Sequence, residues 1–588
     1  MLTSTKGKSQ TPSADRLPSS LSAAARRERV RTASFGGLDM GEGKSWGIAE
    51  MYNLSPRRAP ALATRPRREL LLPSPAEGKH HGMAVMAGDL YMARGTCLYR
   101  IPQVMKPAHP LKVVQVGELS DTDKCMTVFG GRLLILPDKM YVEEGGEQLY
   151  PMELDTGVLE DMIFCGDTVT LPMGRTWQSL GFFAGDSVYV SEMDGTVPEG
   201  YYRIRTLNGS VATVTPAVSF STTTSDGYFY EEIPPEEITS PARLQRLVPD
   251  MQGMTVVGDR LCGYCGRAVY IGAEGEPFAW QQSRSDSHGP ATLQSYTDGD
   301  FTACIAREDE LMLFKASSIV RLTGTRADSF ALSEISAAGI PAGLSHTLCE
   351  MEGTLYYHGS DGVYGYAITA QKPERLGDVF DGKPACGHAV AYEEGYYISL
   401  AGETPDGEHT SGRYLYVPHK RAWYVEADTH MTDGIRLGGH LCSVDEAGDL
   451  WLSRTDGERA YPAADADRKA CPVRSFVSFV PDYTNHPDGC RPVNLYLRAT
   501  SDGSGDLRVL LSFADGRCGL DANMPDVAWD GRERDNAREV ACISGAMENR
   551  LLRIPLPPRR CDHMILALEM LGDWVIHDIT LEYETPRH

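Results

Sequence analysis

One pattern constrains this chain more than any other. Short apolar strands are repeatedly split by a two-residue turn rich in glycine. It appears as "GMAVMAGDLYMA" around Gly88-Asp89, "CMTVFGGRLLILP" around Gly130-Gly131, "GMTVVGDRLCGY", "HTLCEMEGTLYYHGSDGVYGY", "HAVAYEEGYYISLAG" and "HLCSVDEAGDLWLSR". Glycine in the turn admits the positive φ of a tight hairpin, and strands of four to seven residues leave no room for a long helix. Units starting at Met254, Thr302, His346, His388 and His440 are spaced 48, 44, 42 and 52 residues apart. A period of roughly 40–50 residues with four short strands per unit is that of a β-propeller blade. Bulky neighbours such as Tyr356-Tyr357 and Tyr396-Tyr397 fit a sheet covered on both faces.

Counting residues 83–145 as one blade, 250–436 as four, and the 437–465 hairpin as a blade closed by the N-terminal segment predicts about six blades. Two segments break the period. Residues 146–250 read as a small β-barrel inserted in a propeller loop, with four strands expected in "GFFAGDSVYVSEMDGTVPEGYYRIRTLNGSVATVTP" and a turn at Asn208-Gly209. Beyond the polar stretch "PAADADRKACP", six longer strands predict a C-terminal β-sandwich. The expected fold is therefore all-β. It comprises a basic N-terminal arm (1–34, with a short helix at "LSAAARRERVR"), a strap and first blade (35–145), the barrel (146–250), the remaining blades (251–464) and the sandwich (465–588).

Charge is distributed unevenly. Residues 1–80 hold 14 Lys and Arg against 7 Asp and Glu, leaving 43 against 73 in the rest, a formal −30. So acidic a body argues against tight wrapping of nucleic acid, while leaving passage of DNA through a repulsive channel open. The 14 cysteines are scattered, and the one close pair, Cys262 and Cys265, lacks the second pair that a zinc site needs. No run of 18 apolar residues occurs, so no membrane-spanning segment is expected.

Motifs for catalysis are lacking. "GEGKS" (41–45) has Leu38 where a phosphate loop needs glycine. "TDGDF" (297–301) and "SDGSGDL" (501–507) lack the ordered oxygen spacing of a calcium loop and read as polar turns. Histidines 346, 388 and 440 open strands, which reads as blade position rather than catalysis. No catalytic residue, cofactor or metal is expected. The candidate partner contacts are Arg57, Arg58, Arg65, Arg67 and Arg68 in "SPRRAPALATRPRR", an extended basic strap suited to an acidic neighbour, with a solvated strap closing the propeller as the plainer reading.

The stretch "FGGLDMGEGKSWGIAEMYNLSPRRAPALATRPRR" (35–68) resembles the opening of tail nozzle or tail hub proteins of short-tailed bacteriophages, also called packaged-DNA stabilisation proteins, at Phe35, Gly37, Leu38, Met51, Asn53, Leu54, Pro60, Leu62 and Arg65. Residues 337–366 and 389–427 are similar to the middle blades of the same family. The resemblance implies a non-enzymatic virion protein, made in the host cytoplasm and built into the tail. It implies a homo-oligomeric ring, expected as a hexamer, beneath the portal and adaptor proteins, with double-stranded DNA passing through. The alternative is a carbohydrate-binding or receptor-binding propeller of a phage tail, and a cellular scaffold propeller is a third reading.

Overall fold

The computed structural model describes residues 26–31, 47–66, 68–105, 111–191, 198–218, 236–281, 288–377, 385, 387–393, 395–403, 409–426, 431–453, 473–480, 491–514, 538–557 and 563–585. Among them, secondary structure is strand apart from four three-residue 3-10 turns. Among the described residues no helix is long and apolar enough to cross a membrane. The chain divides into two units, one of Met1–Arg65 with Pro472–His588, the other of Pro66–Cys471.

The Pro66–Cys471 unit is a β-propeller of seven four-stranded antiparallel sheets. The first strands of blades 1 to 7 are His80–Met86, Cys125–Phe129, Gly253–Val257, Ala303–Arg307, Cys349–Met351, Val390–Tyr392 and Asp433–Leu437. Each of these strands lies against the next, and the seventh returns to the first, so the ring is closed. The fourth strand of blade 7 is Arg68–Leu72, taken from the front of the unit and paired with Leu450–Ser453. Ring closure therefore joins the two ends of the unit, Arg68 opposite Ser453.

The described residues form seven such sheets where about six blades, with five or seven open, are expected. Residues 80–151 form two sheets, with strands His80–Met86 to Val114–Glu118 and Cys125–Phe129 to Tyr150–Pro151. The last strand of blade 2 is only two residues long, and the Pro-containing stretch before Val114 hides the fourth strand of blade 1. The turn between first and second strands repeats in all seven blades. Its first residue is Ala87, Gly130, Gly258, Glu308, Glu352, Glu393 or Gly438, with φ between 51° and 57°. In blade 1 the turn is Ala87-Gly88, one residue before the expected Gly88-Asp89, because Asp89 already pairs with Met86.

Blades are glued face to face by apolar side chains. Leu133, Ile135 and Val142 of blade 2 pack on Tyr91, Ala93 and Leu98 of blade 1, and Phe314 and Ile319 of blade 4 pack on Leu355 and Tyr357 of blade 5. Tyr396 is fully buried and donates its hydroxyl to Thr347 O at 2.8 Å, linking blade 6 to the entry of blade 5. "GSDGVYGY" is the second hairpin of blade 5. Gly359 N–H donates to Gly362 O at 2.8 Å and Tyr364 OH donates to Asp361 Oδ1 at 2.7 Å.

Between blades 2 and 3 the chain forms a closed six-stranded barrel, in the order Leu154–Cys165, Thr168–Thr170, Val211–Thr215, Gly200–Asn208, Ser187–Ser191 and Ile238–Arg246. Among the described residues of 181–216 it has three strands where four are expected, and the 208–211 hairpin turns at Gly209-Ser210 between paired Asn208 and Val211. Trp177, Phe164, Phe182, Met162 and Ile204 fill its core, and Trp177 Nε1 donates to Ser210 O at 3.0 Å, so the buried indole N–H is satisfied.

The other unit has two antiparallel sheets. One joins Leu54–Ser55, Leu62–Thr64, Trp574–Thr585, Arg491–Ser501 and Met547–Pro555, with Arg26–Arg31 on the far part of Trp574–Thr585. The other joins Gly47–Tyr52, Arg474–Val480, His563–Leu571, Asp506–Ala514 and Arg538–Ser544. This unit draws its strands from both chain ends. The expected helix at 21–31 is corrected over Arg26–Arg31, which is a strand. The ladder offered by Trp574–Thr585, with Glu584 3.1 Å from Arg27 and Glu582 3.3 Å from Arg29, outweighs the weak helical preference of so short a segment.

Candidate functional site

The first strands of the blades begin at one face of the propeller. Their starts are stitched across blade boundaries by backbone bonds, Lys124 N–H to His81 O at 2.8 Å, Ala389 N–H to His346 O at 2.9 Å and His388 N–H to Thr432 O at 2.9 Å. Every fourth strand runs back to this face before the next blade begins, so the barrel, inserted between the fourth strand of blade 2 and the first of blade 3, belongs to the same face.

Around this mouth lies a cluster of histidines and carboxylates from consecutive blades. Asp433, the first residue of blade 7, is buried and bridges two imidazoles. Its Oδ2 is 2.8 Å from His80 Nε2 of blade 1, and its Oδ1 is 3.0 Å from His388 Nδ1 of blade 6. Gly434 N–H donates to the same Oδ1 at 2.8 Å. His346, entering blade 5, stacks on His388 with ring centroids 5.1 Å apart and planes 21° apart. Next to His80, His81 faces Asp121 Oδ1 at 2.6 Å and Asp123 Oδ1 at 3.0 Å, and Lys79 reaches Asp123 at 2.9 Å.

The protonation pattern follows from these contacts. Burial penalises the Asp433 carboxylate, but His388 and His80 outweigh it and hold Asp433 below the usual carboxylate range. Burial also works against charge on His388, yet Asp433 outweighs it and raises His388 above its ordinary value. Among the described residues no carboxylate pairs directly with the His346 ring, and Asp123 and Asp433 only partly offset its burial. Burial, with His388 adding to it, pushes it down to about 4. The stacked pair therefore sets a ring biased towards its charged form against one biased towards its neutral form.

A second buried ionic centre fixes the barrel to the propeller. Arg246, where the last barrel strand ends, and Asp186 are both buried, with Nη1 2.8 Å from Oδ2. Arg246 also donates from Nε to Met152 O at 2.7 Å and from Nη1 to Gly181 O at 2.9 Å, and its guanidinium lies 4.3 Å from the centre of the Phe278 ring of blade 3. Burial raises the Asp186 carboxyl above its ordinary value despite Arg246. Beside it, Glu276 of blade 3 lies 3.9 Å from Arg203 of the barrel.

The structure disperses the predicted arginines. Arg57 and Arg58 form a 3-10 turn with Pro56, capped by Ser55 Oγ, and Arg58 is exposed. Arg65 is buried, and its Nε donates to Asn53 Oδ1 at 2.9 Å, which makes it a structural residue. Arg67 lies outside the described residues. Arg68 is in the closing strand of blade 7, its guanidinium 5.4 Å from the Trp451 ring centre.

Other motifs settle into local roles. Cys262 and Cys265 are free thiols in the second strand of blade 3, and burial pushes Cys262 up to about 12. The acidic turn at 297–301 wraps the buried ammonium of Lys315, which donates to Ser295 Oγ at 2.9 Å and Thr297 Oγ1 at 2.5 Å. "GEGKS" lies outside the described residues. Asp433 and Arg246 were missed because each sits in an unremarkable strand and gains its partners only from segments far away in sequence.

No family model matches the chain, and no curated protein matches it. Among solved structures it is similar to BamB from Moraxella catarrhalis, at 8% identity and TM-score 0.30 over 74% of this chain and 99% of that one. It is also similar to the WD40 domain of SCAP from fission yeast, at 9% identity and TM-score 0.30 over 66% and 97%. Hsv2 from Kluyveromyces lactis matches at 10% identity and TM-score 0.26 over 60% and 98%. Likeness at this level carries no functional argument, and the propeller assignment rests on the strand pairing above.

Proposed function

We propose that this chain is a non-enzymatic structural subunit of a short-tailed bacteriophage virion, a tail nozzle or hub protein that forms a ring beneath the portal and adaptor and retains and guides the genome. The observation that supports this reading is the fate of the phage-like opening. Of its described positions, Met51, Asn53, Leu54, Leu62 and Arg65 are buried and Pro60 is exposed. Asn53, at φ 58°, donates from Nδ2 to Arg474 O at 2.8 Å, and its own carbonyl accepts Ser475 Oγ at 2.7 Å and Arg65 N–H at 2.8 Å. The motif is the keystone of the terminal unit, which gives a physical reason for its residue types. Phe35, Gly37 and Leu38 lie outside the described residues.

In this reading the two sheets of the terminal unit pack as a β-sandwich, and the propeller, barrel and sandwich are the blocks of one ring protomer. The formal −30 beyond residue 80 keeps exiting DNA from sticking. Mass photometry and negative-stain microscopy of the purified chain, alone and with portal and adaptor proteins, test the proposal. We expect rings of one stoichiometry with a central opening, formed alone or on the adaptor. Monomers that join neither would overturn it. A glycan-array signal from such monomers would favour a receptor-binding tail component instead.

A further inference from the structure

We propose that the Asp433 cluster is an acid-released clasp across the closing seam of the propeller, whose release loosens the mouth on the barrel-bearing face. This inference stands on the propeller alone and does not depend on the assembly reading.

The seam is where such a device has most leverage. The seam runs through blade 7, between Leu450–Ser453 and Arg68–Leu72, so Asp433 on one side of it and His80 on the other are joined along the chain only the long way round the ring. On the blade 7 side, one carboxylate grips both neighbours, His80 of blade 1 at 2.8 Å and His388 of blade 6 at 3.0 Å. The stacked His346 extends the grip to blade 5. Four consecutive blades thus share one small hydrogen-bonded group.

The groups facing it decide the direction of the response. His388 faces Asp433 directly, with Asp123 and Lys79 farther off. His346 faces His388 and His358, with Asp123 and Asp433 partly offsetting them. Cys349 of blade 5 and Cys442 of blade 7 lie close to Asp433, and burial pushes both up to about 12, so they stay neutral thiols. The stack tolerates one proton. A second proton on His346 sets two cations face to face at 5.1 Å.

The sign follows. His346 is depressed in the folded state, so the unfolded chain gains its proton first, and stability falls as pH drops from 6.5 towards about 4. His388 is raised, so its contribution is full below its ordinary value and is lost as pH climbs through the folded value. Asp433 is depressed, so its contribution survives until the pH falls below the ordinary carboxylate range. The clasp is tightest near pH 6.5 and is released by acid through His346 first.

Hydrogen exchange of the full chain at about pH 7 and about pH 5, corrected for intrinsic exchange, reads this out strand by strand. Protection at the starts of Asp433–Leu437, Val390–Tyr392 and His80–Met86 should fall by roughly tenfold or more at the lower pH. Ala303–Arg307 of blade 4, remote from the seam, should hold. His346→Phe keeps a stacking ring without a proton and should retain seam protection at about pH 5. Asp433→Asn should lose it already at about pH 7. Parallel loss in every blade, or the same acid response in His346→Phe as in the parent chain, would overturn the proposal. If Asp433→Asn does not fold, the His346→Phe comparison decides it.

Discussion

Replacing Arg246 by methionine should detach the barrel from the propeller. The substitution removes the cation opposite Asp186 from a site where both side chains are buried. Breaking one side of such a pair costs about 3–5 kcal/mol, because the remaining charge is stranded away from water. The carbonyls of Met152 and Gly181 also lose their donor, adding roughly 1 kcal/mol between them where water reaches in to replace it. We expect about 4–6 kcal/mol in all. Urea unfolding followed by tryptophan fluorescence is a direct assay, since Trp177 lies in the barrel core and Trp280 at the junction. The loss should be smaller at about pH 5 than at about pH 8, because Asp186 is already raised by burial and rises further without Arg246. A raised carboxyl stabilises at low pH and loses that contribution as pH climbs through its folded value. Adding Asp186→Leu should recover at least half of the loss. A cost below about 1 kcal/mol, or a double variant as unstable as the sum of the singles, would refute the idea that the junction depends on this pair.

Three further outcomes follow from the same geometry. Asn53→Ala should destabilise the terminal unit by about 2–3 kcal/mol in urea melts, through lost bonds to Arg474 and Arg65 and a strained φ, and Asn53→Gly should restore only the backbone part. Glu352→Gly should be neutral or stabilising by up to about 1 kcal/mol, and Glu352→Val should destabilise, since φ is 51° there; thermal melts distinguish the two. Arg58→Glu, at an exposed position, should leave the melting temperature unchanged within about 1 °C yet weaken ring or adaptor association at low salt, and unchanged association would remove the strap from the list of contacts.

The parts of the fold that were readable are those with local causes. A two-residue turn at positive φ leaves a trace in composition, and Gly130-Gly131 and Gly438-Gly439 advertise it. Glu308, Glu352 and Glu393 adopt the same backbone without the glycine, held by the strands on either side, so hairpin spacing had to stand in for turn chemistry. Blade 2 escaped counting because its Tyr150–Pro151 strand is too short to show a period. The pairing of Arg68–Leu72 with Leu450–Ser453 is legible as closure by the N-terminal segment, whereas Arg26–Arg31 carries a helical pattern because its strand partner lies more than 500 residues away. The site was less legible still. His346 and His388 stood out by recurrence, but their shared dependence on Asp433 exists only once blades 5, 6 and 7 are side by side.

The strand pairings also place three bodies one inside another along the chain. The barrel interrupts the propeller, and the propeller interrupts the terminal unit, whose Thr64 hydroxyl waits for Trp574, 510 residues later. At about 5–20 residues per second, that wait is roughly 25–100 s of synthesis. During it the early strands Leu54–Ser55 and Leu62–Thr64 have no sheet to join. Maturation must run from the inside outwards, with the barrel able to complete first and the propeller closing when Leu450–Ser453 meets Arg68–Leu72. The terminal unit can be finished only as the last strand, Trp574–Thr585, leaves the ribosome. A chain cut before Trp574–Thr585 would therefore release two finished bodies and one unfinished sheet, so loss of that single strand spares the inner bodies and strands the early ones.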